Sequence, residues 1–128
     1  MSKNTKLVLN DLIARKLQKE QAKPKAKDVY VKSLDGTLTI TPPEESDILY
    51  AIDQIGKDES MTNIVKAYDR LIYNSIQLFR SNELHKEYEV IVPTDIVAKM
   101  LTLSERMEIG SQILEISGFN DMGTKVKN

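Results

Sequence analysis

Few side chains in this sequence could perform chemistry, and their spacing assembles no site. His85 is the single histidine, and cysteine is absent. That pair of facts removes thiolate chemistry, disulfides and a structural zinc tetrad together. His85 lies between Glu83 and Glu87 on a polar stretch. A solvated histidine on an acidic helix explains it better than a general base, since no serine nucleophile with an orienting partner can be matched to it. The acid pairs Glu44–Glu45 and Glu105/Glu108 suit the positive end of a helix better than paired acid–base work. Five glycines, at 36, 56, 110, 118 and 123, are too scattered to cradle a phosphate, and no calcium-loop pattern occurs. The expectation is a non-enzymatic chain with no cofactor and no metal.

Two features could instead serve binding. The first is a basic segment, Lys6 to Lys27, within which Leu9, Leu12, Ile13 and Leu17 form a narrow apolar stripe flanked by Arg15, Lys16 and Lys19. No aromatic residue interleaves these lysines, and nothing matches a helix-turn-helix or RNA-binding signature, which disfavours nucleic acid. A solvated helix complementing an acidic remainder and a protein-binding helix both fit. The second feature is Met61, Met100 and Met107 on helical apolar faces. Thioethers suit adaptable binding surfaces, although core filling is their commoner use.

The elements that carry these residues follow from periodicity. Asn10–Asp11 reads as an N-cap with Leu9 as its staple, opening a helix from about Asn10 to Ala22 that Pro24 ends. Residues 28–41 alternate Val29/Val31 with Tyr30/Lys32, then Leu38/Ile40 with Thr37/Thr39/Thr41. Asp35–Gly36 between them favours a type I′ turn, so a β-hairpin is expected. A lone hairpin is marginal in water, so one face must pack on the helices or pair with another chain. Thr41–Pro42–Pro43–Glu44–Glu45 opens a helix with Ile48, Leu49, Ile52 and Ile55 on one face and Gly56 as its stop.

The stretch Ser60–Arg80 is the expected centre of the fold. Met61, Ile64, Val65, Tyr68, Leu71, Ile72, Ile76 and Phe79 recur at steps of three and four, with Ser60 as cap and Tyr73 and Leu78 widening the stripe. Beyond it, Ser81–Asn82 caps a short helix with Leu84 and Tyr88, and Val90–Ile91–Val92 is too short for a secure strand. Thr94 caps a helix that turns Ile96, Val97, Met100 and Leu101 inward. Thr102–Leu103–Ser104–Glu105 has capping-box spacing for a last helix, burying Met107, Ile109, Ile113, Leu114 and Ile116 and ending at Gly118.

The fold class is therefore mainly α (α+β): five to six helices and one hairpin in a single domain, residues 1–118. The N-terminal helix is expected to dock loosely and residues 119–128 to form a flexible tail. At 128 residues the chain suits one core, and no apolar run is long enough to span a membrane. The N-terminus lacks the apolar run of a secretory signal, which favours the cytoplasm. Net charge is −1 but uneven. Residues 1–28 carry eight basic and three acidic residues, and the rest ten basic and sixteen acidic, giving +5 and −6. Such asymmetry points to a partner or to docking within the fold.

Four stretches, LVLNDLIARKLQK, VYVKSLDGTLTI, PTDIVAKML and RMEIGSQILEISG, occur in this order. Together they resemble the small tail assembly chaperones of Gram-positive phages and of phage-like particles such as prophage elements and tailocins. The likeness runs from about Leu7 to Gly118 and is strongest in YVKSLDGTLTI. It implies a non-enzymatic protein that binds the tape measure protein while the tail tube polymerises around it. It also implies action in the bacterial host cytoplasm, absence from the mature particle, and in many members a longer frameshifted form. The family offers no residue motif to transfer, so the binding residues named here, Leu9, Leu12, Ile13, Leu17, Arg15, Lys16 and Lys19, come from the amphipathic pattern. The alternatives are a nucleic-acid-binding regulator using the basic segment, and a structural tail component that oligomerises through the hairpin edge. The tail tube protein and a second copy of the chain are further candidate partners.

Overall fold

A computed structural model describes residues 6–21 and 25–119. Among these, six α-helices and one antiparallel hairpin follow in the order α1 (Leu9–Gln21), β1 (Lys27–Val31), β2 (Gly36–Ile40), α2 (Glu45–Lys57), α3 (Met61–Ser75), α4 (Asn82–Glu87), α5 (Ile96–Met100) and α6 (Leu103–Ile116). The mainly helical class with one hairpin is what the periodicities predict. Ala22 and Pro24, expected to end the first helix, and the tail beyond Phe119 lie outside the described residues.

The hairpin packs on its own chain. Its register, Val29 opposite Leu38 and Val31 opposite Gly36, puts Val29, Val31, Leu38 and Ile40 on one face, and that face joins the core. Thr37, Thr39 and Tyr30 face outward, where Thr39 Oγ1 donates to Asp28 Oδ1 at 2.6 Å and Tyr30 Oη to Asp35 Oδ1 at 2.9 Å. The expected type I′ turn is not formed. Lys32–Leu34 make a 3₁₀ turn, and Asp35 alone is left-handed (φ 47°), returning its N–H to the Lys32 carbonyl at 3.1 Å. Asp tolerates this conformation, so Gly36 is released to be the first residue of β2.

α3 is the central helix, contacting α2, α5 and α6. Ser60 caps it as expected, its Oγ accepting from Asn63 N at 3.3 Å. The Asn63 amide donates to the carbonyls of Gln54 and Asp58 at 2.6 and 2.7 Å, closing the tight turn from α2. Farther along the same pair, the Arg70 guanidinium lies 4.2 Å from the Tyr50 ring centre, so α2 and α3 run antiparallel. The helix does not continue to Arg80. It ends at Ser75, Ile76 is extended, and Gln77–Arg80 form a 3₁₀ turn. Two contacts account for the break: Thr41 N takes the Ser75 carbonyl at 2.8 Å, and Arg80 folds back so that Nη1 donates to the carbonyls of Tyr73 and Asn74 at 3.0 and 2.7 Å. The kink buries Ile76 and Phe79 but turns Leu78 out to solvent, and at the other end Met61 is also exposed.

α6 is fixed at both ends by local chemistry. Thr102 and Glu105 form the expected capping box. At its C-terminus Gly118 (φ 93°) takes the left-handed position. Gly118 N donates to the Glu115 carbonyl at 3.1 Å and Phe119 N to that of Leu114 at 2.8 Å, a Schellman motif. Phe119 packs against the core. Between these ends α6 lies against α3. A Cβ on Gly110 would stand 2.5 Å from Cγ of Tyr68, so glycine sets the approach of the two helices. Beside it Arg106 grips Asp69 with two bonds, Nε to Oδ1 at 2.9 Å and Nη2 to Oδ2 at 2.5 Å.

Smaller departures concern boundaries. Leu49 is exposed where an inward position was expected, because Ile48, Ala51 and Ile55 fill that side of α2. Gly56 lies within α2, which runs on to Lys57. Thr94 is not a cap: Pro93 starts a 3₁₀ turn and α5 begins after Asp95 without a side-chain cap. Met107 and Ile116 are partly buried against the core. Val90–Ile91–Val92 form no strand, and Ile91 is 94% exposed.

Candidate functional site

The seven residues named from the amphipathic pattern all lie on α1. The helix starts one residue earlier than the cap signal suggests: Val8 N–H is held by Asp11 Oδ2 at 3.0 Å, so Asp11 acts from inside the first turn and Leu9 is helical. No residue of α1 is buried. Leu9, Leu12, Ile13 and Leu17 are 70%, 56%, 62% and 63% exposed, and Leu7 and Val8 extend the same apolar surface. Arg15, Lys16 and Lys19 are exposed around it, Arg15 Nη1 donating to Gln18 Oε1 at 2.9 Å. An isolated helix of this length is marginal in water. An apolar stripe on such a helix gains most when it is covered, at about 1.5–3 kcal/mol per fully buried Leu or Ile.

A second apolar surface was not foreseen. Leu34 and Leu38 of the hairpin, Leu78 and Phe79 of the 3₁₀ turn, Leu84 of α4 and Met100 of α5 line an open cleft of about 370 Å³. Ser81, Glu83 and Glu87 also line it. The reversal at Ile76 makes this cleft, because it carries Leu78 away from the core towards the hairpin, and Leu78 is 65% exposed. Ser81 then caps α4, its Oγ accepting from Leu84 N at 3.3 Å, which sets Leu84 on the wall. Met100 lines this cleft, Met107 packs on the core and Met61 is exposed.

His85 is not the solvated residue expected. It is half-buried, its Nε2 donates to the Phe79 carbonyl at 2.6 Å, and its ring stacks on Tyr73 with centres 5.9 Å apart. The first contact pins α4 to the 3₁₀ turn before it, and the second ties it to the end of α3. Glu105 likewise works in the scaffold. Its Oε1 accepts from Thr102 N at 3.0 Å and Ser33 Oγ at 2.7 Å, and Oε2 accepts from Ser33 N at 3.0 Å. The hydrogen bonds from Ser33, then those from Thr102, lower its pKa from the ordinary 4.5 to about 2. One carboxylate thus joins the hairpin loop to the start of α6. Among the described residues no group of three or more His, Cys, Asp or Glu could hold a metal ion, and no helix is long and apolar enough to cross a membrane.

Residues 44–128, about two thirds of the chain, match the family model described as phage XkdN-like tail assembly chaperone protein. The chain belongs to that family. No curated protein and no solved structure matches it. The matched region of this tail assembly chaperone covers α2 to α6, hence the whole Leu78–Leu84–Met100 side of the cleft. α1 and the hairpin precede it.

Proposed function

We propose that this chaperone binds the tape measure protein of its phage or phage-like particle and keeps it soluble until the tail tube has polymerised around it. It acts in the host cytoplasm, by apolar contact rather than by catalysis, and leaves before the particle is mature. A long amphipathic chain awaiting packaging exposes apolar surface that aggregates. Helix-in-groove contact covers such surface and can be surrendered on assembly. The observation that carries this reading is the α1 stripe, whose four apolar residues stay more than half exposed in a member of a tail assembly chaperone family. Leu9, Leu12, Ile13 and Leu17 grip the client, while Arg15, Lys16 and Lys19 set orientation and speed of encounter.

The test is Leu12→Asp/Ile13→Asp in the full chain, co-expressed with the tape measure protein. Capture of the tape measure protein should be lost while the thermal midpoint moves by no more than a few degrees, since both side chains are already exposed. Unfolding of the double variant would make the stripe part of the core, and undiminished capture would place the grip elsewhere.

A further inference from the structure

The cleft and the α1 stripe are both apolar and are opposite in charge at their edges. The cleft is a groove with apolar walls at Leu34, Leu38, Leu78, Leu84 and Met100. Glu83 and Glu87, one turn apart on α4, stand beside Leu84 and are exposed. The stripe on α1 spans Leu9 to Leu17, about 12 Å of helix, and carries Arg15, Lys16 and Lys19 next to its apolar residues. An acid-edged apolar groove and a base-edged apolar helix therefore occur on one chain, both uncovered.

We infer that the cleft receives the α1 stripe of a second copy of this chain, and that exchange in both directions builds a two-fold dimer. Each copy's stripe covers the other's exposed Leu78 and half-buried Leu84, and Lys16 and Lys19 face Glu83 and Glu87. A reciprocal arrangement closes on itself with two copies and leaves neither surface open, whereas a one-way contact would run on into a larger ring or a filament. The dimer rests on this complementarity alone. Its regulatory consequence rests also on the reading of the stripe as the client grip: a stripe held in a partner copy's cleft cannot hold a client, so the client must displace it.

Sedimentation velocity of the full chain over a hundredfold concentration range tests this. Wild type should sediment as a dimer that dissociates on dilution and more readily at high salt. Glu83→Lys/Glu87→Lys should weaken association about tenfold. Adding Lys16→Glu/Lys19→Glu to that variant should restore it, a rescue that a general loss of folding could not give. Two results would overturn the inference: a monomer throughout the range, with protected α1 amides then assigning the cleft to its own helix, or a dimer indifferent to the α4 reversal. Tape-measure capture by a monomeric wild type refutes the dimer and leaves the client reading standing. A dimer behaving as described but capturing no tape measure protein does the reverse.

Discussion

Replacing Gly110 with alanine isolates the contact that sets the distance between α3 and α6. Two effects of opposite sign act there. Alanine in a helix interior is favoured over glycine by about 1 kcal/mol. Against that, the new Cβ would meet Cγ and Cδ2 of Tyr68 at 2.5 Å and its Cβ at 2.8 Å, the root of the side chain and not its flexible end. Tyr68 is 3% exposed and close-packed interiors leave little room for a ring to move at its root, so the helices must part. Overpacking of this kind costs about 1–3 kcal/mol, and contact at the ring root puts it at the upper end. The net loss is then about 2 kcal/mol, or roughly 8 °C in the midpoint of a domain this size. Urea unfolding followed by circular dichroism measures it directly. Gly56→Ala supplies the control, because nothing lies within 4 Å of a Cβ there and the substitution should stabilise by up to about 1 kcal/mol. If Gly110→Ala stabilises the protein as Gly56→Ala does, the close approach of α3 and α6 is wrong.

The Glu105 clamp makes a pH prediction. A carboxyl whose folded pKa is depressed from 4.5 to about 2 contributes stability that is complete above 4.5 and lost as the pH falls from there towards 2. Glu105→Ala should cost about 1 kcal/mol at neutral pH and flatten the acid limb over that window, measured as urea midpoints from pH 2 to 7; an unchanged acid limb would contradict the clamp. Asp69→Ala leaves Arg106 half-buried without its partner and should cost about 1–3 kcal/mol in the same assay. Asp69→Ala/Arg106→Met should lose less than the sum of its single variants.

What the sequence made legible was what is encoded locally. Ser60, the Thr102–Glu105 box and Gly118 each act within one helical turn, and each does what its residue type and position imply. The hairpin's buried face was legible for the same reason, since alternation assigns Val29, Val31, Leu38 and Ile40 whichever turn joins the strands. Its turn was not, because Asp35 can adopt the left-handed conformation unaided and the Asp–Gly signal then shifts by one position. The end of α3 was hidden by its own periodicity. Ile76 and Phe79 keep the helical spacing, but the Arg80 guanidinium and the Thr41 amide, six and more residues away, take the carbonyls that end the helix. The cleft follows from that reversal and draws on three separate stretches, around Leu34, Leu84 and Met100, so no single window of sequence contains it. The α1 stripe was legible as a pattern. That it stays uncovered is a property of the whole fold, which fills its core without it.

Whether the chaperone keeps its client soluble is read from the state of the tape measure protein itself. Expressed with the chaperone and without it, the client is divided between supernatant and pellet after lysis, and the soluble fraction is passed over an affinity column for the chaperone. The expected tape measure protein pellets alone, but stays soluble and co-purifies when the chaperone is present. A tape measure protein that pellets equally in both cases, or remains soluble alone and never co-purifies, would contradict it.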